Sequence, residues 1–318
     1  MQLRIFTEPQ QGATYEQLLT VALATEGAGL NAFFRSDHYL FVDQPPVGPT
    51  GPLPGPSDAW ITLAGLARDT TSIRLGTLLS PATFRLPGPL AISVAQVDAM
   101  SGGRVELGLG AGWYAEEHEA YGIPFPDRIS ERLDRLEEQL TIINGLWKTP
   151  VGDRFSYAGA YYRCTDSPAL PKPVQTPRPP IIVGGRGTRR LPVLAAKYAD
   201  ECNVSFGTLE QFRAVMDALD DACERSGRDP RSVVRSFALT LCMGEDENAY
   251  NRRALAMRGT VDQLRVKDAV GTPADVASLL GKYAAMGASR AYLQILDLSD
   301  LEHIALVGQE LAPLVANL

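Results

Sequence analysis

The chain has 318 residues, 45% hydrophobic and 21% charged, with 30 basic against 37 acidic side chains for a net charge of −7. That length can bury a large core, and the acidic balance excludes a general nucleic-acid binder, which needs a basic face. No run of about 18 apolar residues exists to span a membrane, and the four cysteines lack CxxC spacing, so free thiols in a reducing, cytoplasmic setting are expected rather than disulfides or zinc.

Residues 1–6 begin directly with a strand-like pattern rather than a signal peptide, and the first strand is expected over 3–7. Thr14-Tyr15-Glu16-Gln17 is a capping box, followed by Leu18, Leu19, Ala22 and Leu23 as a helical apolar face. A second strand over 31–35 leads into Ser36-Asp37-His38-Tyr39, and the Pro/Gly stretch 43–56 reads as a loop over one end of the fold. Residues 57–69 form a helix with Trp60, Leu63, Ala64 and Ala67 on one side. The third strand, 73–79, exits through Ser80-Pro81-Ala82-Thr83-Phe84-Arg85, and a helix over 90–100 closes at Ser101-Gly102-Gly103.

The fourth strand is dense in information. Val105, Leu107 and Leu109 alternate with Glu106, Gly108 and Gly110, and the strand runs into Ala111-Gly112-Trp113-Tyr114. Residues 127–147 carry Ile129, Leu133, Leu136, Leu140, Ile143 and Trp147 at helical spacing, whereas 154–180 show no convincing period. A fifth strand, 181–183, stops at Gly184-Gly185-Arg186-Gly187 before a helix through Leu191, Leu194, Ala195 and Tyr198. The sixth strand covers 201–205; Thr208 then caps a helix burying Phe212, Val215, Met216 and Leu219. After a seventh strand over 233–242, residues 244–271 form a charged, weakly helical insert and a candidate lid. Thr272-Pro273 starts another helix, 291–296 is the eighth strand, and Ser299-Asp300-Leu301-Glu302 caps the last helix.

Eight strand–helix units in alternation call for a parallel sheet. They match a closed (β/α)8 TIM barrel with loop insertions at its C-terminal face, the end where barrel chemistry lies. An open doubly wound sheet is the alternative. The segment from Gly184 through Gly187, Thr188, Arg189 and Arg190 joins a strand to a helix start, which favours an anion site over a tight turn with solvated arginines. Gly108 to Gly112 fails the GxGxxG dinucleotide pattern because Trp113 stands at its end. These glycines serve either barrel packing or close approach of a flat cofactor. Asp37-His38 reads equally as a structural hydrogen bond or as a ring contact and proton relay. His118 reads as part of a solvated helix start and His303 as structural. Three dispersed histidines argue against zinc, no GxSxG supports a serine hydrolase, and no strand end offers two carboxylates for glycoside hydrolysis.

With these segments in place, the chain resembles the luciferase-like monooxygenase family, in particular its branch that uses the deazaflavin coenzyme F420. The resemblance runs over nearly the whole chain. It rests on Arg35-Ser36-Asp37-His38-Tyr39, Leu75-Gly76-Thr77 with Ser80 to Arg85, and Gly103 through Trp113. The helix 132–147, Ser167-Pro168-Ala169-Leu170-Pro171-Lys172-Pro173 and Pro180 to Gly185 complete it. It implies a single barrel domain over 1–318, F420 at the C-terminal end, and hydride transfer between the deazaflavin C5 and a small organic substrate (C=C, C=N or alcohol/carbonyl). It also implies a homodimer. By position, Asp37 and His38 match ring contacts. Thr77, Leu78 and Leu79 match a bulge with a non-prolyl cis peptide, expected at Leu78–Leu79. Gly110, Ala111, Gly112 and Trp113 match strand-four contacts, and Gly184, Gly185, Arg186, Gly187 and Thr188 match the phosphate side. The sugar-phosphate dehydrogenases of this branch carry a proton-donating acid where this chain has Trp113. That departure argues against sugar-phosphate oxidation, makes His38 the candidate relay with Glu116 or Tyr114 as substitutes, and points to an apolar substrate beside Trp113. An FMN-dependent monooxygenase and a non-catalytic F420-binding protein are the alternatives.

Overall fold

A computed structural model describes residues 1–40, 56–257, 259–265 and 268–318. The expected Pro/Gly loop falls outside the described residues except for Pro56. Eight strands form the barrel: β1 (Gln2–Thr7), β2 (Ala32–Arg35), β3 (Arg74–Thr77), β4 (Val105–Gly110), β5 (Ile181–Gly184), β6 (Glu201–Ser205), β7 (Val234–Met243) and β8 (Arg290–Ile295). Each pairs in parallel with the next, and β8 returns to β1. Pairing of β6 with β7, Val234 opposite Glu201, completes the ring and removes the open-sheet alternative.

Strand alternation sorts the residues between two environments. Leu3 and Ile5 of β1, Phe33 of β2, and Val105, Leu107 and Leu109 of β4 face outward into the layer shared with the helices. Phe6, Ala32, Phe34, Ile182, Ala238 and Tyr292 point inward, together with Leu78. Below them the barrel interior is ionic. Arg4 donates to Glu106 at 2.5 and 3.0 Å and to the Tyr292 hydroxyl at 3.0 Å, and Tyr292 donates to Glu201 at 2.8 Å. Arg74 and Arg290 complete the network from the rim. Both Arg4 and Glu106 are buried, so each charge depends on the other for compensation of its lost hydration.

The expected caps form. Thr14 caps the helix Tyr15–Gly27, its hydroxyl accepting from Gln17 N–H at 3.2 Å, with the Gln17 side chain accepting in return. Thr208 and Thr272 close equivalent boxes, and Asp58 and Asp300 cap two further helices. Several details differ from expectation. In the first helix Leu18, Val21, Ala22 and Thr25 form the buried stripe, at i, i+3, i+4 and i+7, which turns Leu23 outward to 45% exposure. The 154–180 region holds an antiparallel hairpin, Phe155–Ala158 with Arg163–Ser167. One side of it is anchored where the Phe155 ring lies against Gly145. The 244–271 insert is folded into helices Glu247–Ala256 and Val261–Arg265 and a strand Ala269–Gly271 beside β7. Its apolar cluster of Cys242, Tyr250, Ala254, Met257 and Val270 counts against a loosely held lid.

Candidate active site

At the C-terminal end of the barrel lies a cavity of about 1010 Å³, at the upper end of the range for small-molecule sites. One wall comes from the exits of β2 to β5: Ser36 and His38, Leu78 and Leu79, Gly110 to Trp113, and Gly184 to Arg186. The opposite wall is Phe6, Phe206, Thr240, Gln294 and Leu296, and Met257 and Leu264 of the insert approach from above.

The chain reaches this arrangement through a break in β3. The Leu78–Leu79 peptide is cis, as expected at that position, and the strand resumes at Ser80–Pro81 beside Leu109 and Gly110. Leu79 then lies across the glycines of β4 and β5. A Cβ on Gly108 would stand 2.0 Å from the Thr77 carbonyl oxygen and 2.8 Å from Leu79 Cδ2; one on Gly184 would stand 2.6 Å from Leu79 Cδ1. These glycines therefore make room for Leu79, which becomes an apolar face of the cavity. Gly112 has φ 79°, and a Cβ there would also meet Thr83 Oγ1 at 2.7 Å. The glycine run thus serves barrel packing, and that packing sets Leu79 on the cavity wall.

His38 is held by Glu117, with its Nδ1 at 3.0 and 3.1 Å from the two carboxylate oxygens. Glu117 is itself buried and accepts from the Tyr39 N–H at 3.0 Å. Burial alone would lower the His38 pKa; the hydrogen bond and charge of Glu117, with smaller help from Glu8 and Asp37, outweigh it and raise the value above ordinary histidine. With Nδ1 directed to Glu117, Nε2 has no hydrogen-bond partner among the described residues. Trp113 packs edge-on to His38 at 5.8 Å and stacks on Tyr114 at 5.0 Å, while remaining 59% exposed.

The structure brings His38, Leu78, Leu79, Gly110, Ala111, Gly112, Trp113, Gly184, Gly185 and Arg186 to the cavity wall. Four expected cofactor contacts lie elsewhere. Asp37 is fully buried, accepting from Ser80 Oγ at 2.6 Å and from Arg85, which also binds Asp58 and the Tyr39 hydroxyl. Thr77 donates to the Gly108 carbonyl at 3.0 Å inside the sheet. Gly187 and Thr188 are exposed beyond the wall. Of the expected arginine cluster, Arg186 lines the cavity, whereas Arg190 is drawn to Asp134 and Glu137. His118 is buried rather than solvated: Nδ1 donates to the Tyr114 carbonyl at 2.6 Å and Nε2 accepts from Thr83 Oγ1 at 2.7 Å. Burial lowers its pKa, in keeping with the neutral ring. His303 is structural as expected, accepting from the Met243 N–H at 3.1 Å.

Sequence reasoning missed Glu117, naming its exposed neighbour Glu116 instead. The only sequence signal was the Glu116-Glu117 pair one turn beyond Trp113, with nothing to select between the two. The Thr240–Gln294 pair of the opposite wall was also missed, because neither residue stands in a motif.

A flat ring with a phosphate-bearing tail fits these residues. Leu79 offers an apolar platform, the Gly110–Gly112 backbone a wall without side chains, and Arg186 beside Gly185 a cation.

The family model for luciferase-like monooxygenases matches residues 1–310. The F420-dependent hydroxymycolic acid dehydrogenase of Mycobacterium tuberculosis is 31% identical over 264 residues, or 78% of this chain and 65% of that protein. The oxygenase component of the flavin-dependent trigonelline monooxygenase of Acinetobacter baylyi is 26% identical over 254 residues, 77% of this chain and 64% of that one. The matched regions thus span just under two thirds of these relatives. A solved structure of an F420-dependent secondary alcohol dehydrogenase in complex with an F420–acetone adduct shares the fold, with a TM-score of 0.83, 17% identity, and coverage of 99% of this chain and 98% of that one. A (β/α)8 barrel closed by β6 and β7, open at the C-terminal ends of its strands and matched from residue 1 to residue 310, places this chain in the luciferase-like monooxygenase family.

Proposed function

We propose that the 318 residues form one catalytic domain, an F420-dependent oxidoreductase acting on a small, largely apolar organic substrate. The observation that carries this reading is the joint placement of a Leu79-floored, glycine-walled cavity and the His38–Glu117 pair at its edge. Leu79, Gly110 to Gly112, Gly185 and Arg186 would hold the cofactor. F420, when bound, supplies hydride chemistry at C5. The protein's part is orientation and proton handling. Glu117 fixes the His38 ring and favours its charged form, so Nε2 can give a proton to, or take one from, a substrate heteroatom. Trp113 shields that step from one side, and its place where related sugar-phosphate dehydrogenases carry an acid supports a substrate other than a sugar phosphate. The similarity to an F420-dependent dehydrogenase supports the cofactor choice.

FMN-dependent monooxygenation is the second reading, supported by the similarity to a flavin-dependent oxygenase component. Titrating cofactor-free protein with F420 and with FMN, followed by ring fluorescence, separates the two: saturable F420 binding is expected, and tight FMN binding without F420 binding overturns the proposal. Turnover of reduced F420 across alcohol, enone and imine panels then separates an enzyme from a silent binding protein. A cytoplasmic homodimer belongs to the same reading. Exposed Ile61, Leu86 and Ile92, on or beside two helices packed together, support self-association, and light scattering of the purified protein tests it.

A further inference from the structure

Three residues other than glycine take a positive φ among the described residues: Asp166 at 51°, Ala169 at 52° and Phe206 at 53°. Asp166 and Ala169 stand in or just after the hairpin strand Arg163–Ser167, and neither lines the cavity. Phe206 follows the last residue of β6 and does line it. Left-handed backbone crowds Cβ against the next carbonyl, so glycine or asparagine is the least strained residue there and a bulky aromatic is an outlier. A tight turn accounts for the conformation. The Phe206 N–H extends the β6–β7 ladder to the Ala238 carbonyl at 2.9 Å, and Thr208 already caps the helix Leu209–Ser226. The chain therefore passes from strand to helix within Phe206 and Gly207. That turn explains the φ but not the phenylalanine.

The place of the ring supplies a reason. The inward-facing apolar layer of the barrel, which includes Phe6, Phe34, Ile182 and Tyr292, carries two partly buried apolar side chains against it, Leu79 and Phe206. Both line the cavity. Leu79 belongs to the side whose residues match cofactor contacts; Phe206 leaves β6, where none does. Its ring packs on Phe6 at 6.2 Å between centroids and 47° between planes, and stays partly open. The surrounding wall is polar, with Glu8, Ser205, Thr240, Gln263, Asp268 and Gln294, so Phe206, Phe6 and Leu296 make an apolar patch within it.

We infer that Phe206 is a specificity-determining residue: its ring is the substrate-side half of the cavity floor, as Leu79 is the cofactor-side half, and it receives a flat, unsaturated apolar part of the substrate. An aromatic ring gains more from a flat π-system than buried area alone provides, whereas an aliphatic side chain offers area only. Strained backbone that persists at a ligand-lining position points to a function for the side chain it carries, because a less strained residue would stabilise the fold. The inference rests on the oxidoreductase reading for which half of the cavity holds the cofactor, and adds the residue on which the substrate lies.

The test uses naphthalene and trans-decalin, the flat and the saturated forms of one carbon skeleton, on the full chain labelled with para-fluorophenylalanine. The Phe206 ¹⁹F signal is assigned by its loss in Phe206→Leu. Naphthalene is expected to shift that signal saturably, both alone and with F420 present. Phe206→Leu, which keeps an apolar side chain and removes the ring, is expected to weaken naphthalene binding by about three- to tenfold and to leave decalin binding within about twofold. Phe206→Asn separates a binding role from a packing role. Its Tm is expected within about 2 °C of wild type, because relief of the left-handed backbone offsets the lost burial of a partly open ring, while naphthalene binding weakens at least as much as in Phe206→Leu. A Phe206 signal that ignores naphthalene, or equal naphthalene affinity in wild type and Phe206→Leu, would overturn the inference. So would a Tm loss above about 5 °C in Phe206→Asn with naphthalene affinity kept, which marks a packing role only, and so would competition between F420 and naphthalene, which puts the ring in the cofactor half. F420 titration of the same samples separates the two proposals. F420 binding with a silent Phe206 signal removes the substrate assignment alone; a Phe206 response without F420 binding removes the cofactor assignment alone.

Discussion

Gly108→Ala probes the device on which the cavity depends. The added Cβ would lie 2.0 Å from the Thr77 carbonyl oxygen and 2.8 Å from Leu79 Cδ2. The first contact is with backbone of a neighbouring strand, which cannot rotate away. The strand or the bulge must shift by about an ångström, at the upper end of the 1–3 kcal/mol typical of overpacking. For 318 residues, an unfolding entropy of about 2.1 cal/mol/K per residue converts each kcal/mol into roughly 1.5 °C, so Tm should fall by about 4–5 °C. Two controls calibrate the result. At Gly110 the nearest atom is the flexible Leu79 Cδ1 at 3.3 Å, so Gly110→Ala should cost much less. At Gly187 nothing lies within 4 Å, so Gly187→Ala should be neutral or gain about 0.4–1 kcal/mol from a less flexible unfolded chain. Thermal unfolding by circular dichroism ranks the three variants, and F420 titration reports whether displaced Leu79 weakens the site. A Gly108→Ala protein as stable as Gly187→Ala would refute the packing argument.

Glu117→Gln keeps the shape of the pair and removes its charge. Burial then opposes the His38 imidazolium with its main partner lost, so the midpoint read from ring NMR should fall. In the wild type the raised folded value means that the pair stabilises the fold fully below about pH 6.5, the unfolded value, and that this contribution fades as pH rises through the raised value; urea midpoints across that range should lose the trend in the variant. His303 behaves in the opposite sense. Burial, then the nearby Arg253, lowers its pKa to about 4, so between about pH 6.5 and 4 the unfolded chain takes up a proton that the fold refuses, and stability falls on acidification by on the order of 3 kcal/mol. His303→Gln, which retains an acceptor for the Met243 N–H, should flatten that slope. Glu106→Ala strands Arg4 without its carboxylate inside the barrel and should cost about 3–5 kcal/mol in urea unfolding. Asp134→Ala, which removes a half-exposed partner of Arg190, should cost less than about 1 kcal/mol.

The roles of the buried polar groups follow from where each stands. Asp37, expected at the ligand, instead anchors Arg85 and Ser80 behind the wall, and so fixes the segment that carries Leu79 and Pro81. His118 ties Thr83 to the start of the short helix Ala115–Ala120, which carries Glu117. The site is thus framed by polar contacts one layer behind the residues that line it, as positioning of a reactive side chain requires.

Much of the fold was legible in the chain alone, because its signals are local. Capping boxes act over three residues, alternation over two, and glycine runs mark places where a Cβ will not fit. These are enough for eight strand–helix units and for the working end of the barrel. The break at Leu78–Leu79, and the expectation that Gly110 to Gly112 contact a ligand, came from resemblance of whole motifs. What tertiary structure decided is pairing at a distance. Glu117 meets His38 across 79 positions, Thr240 meets Gln294 across 54, and Arg4 meets Glu106 across 102. Alternation separates the two faces of a strand but does not say which faces the helices and which the barrel axis, nor which layer of the interior a given residue reaches. Those assignments follow from strand register and closure around the ring. That is why Glu106 reads in sequence as a polar alternate, and in the structure as half of a buried ion pair.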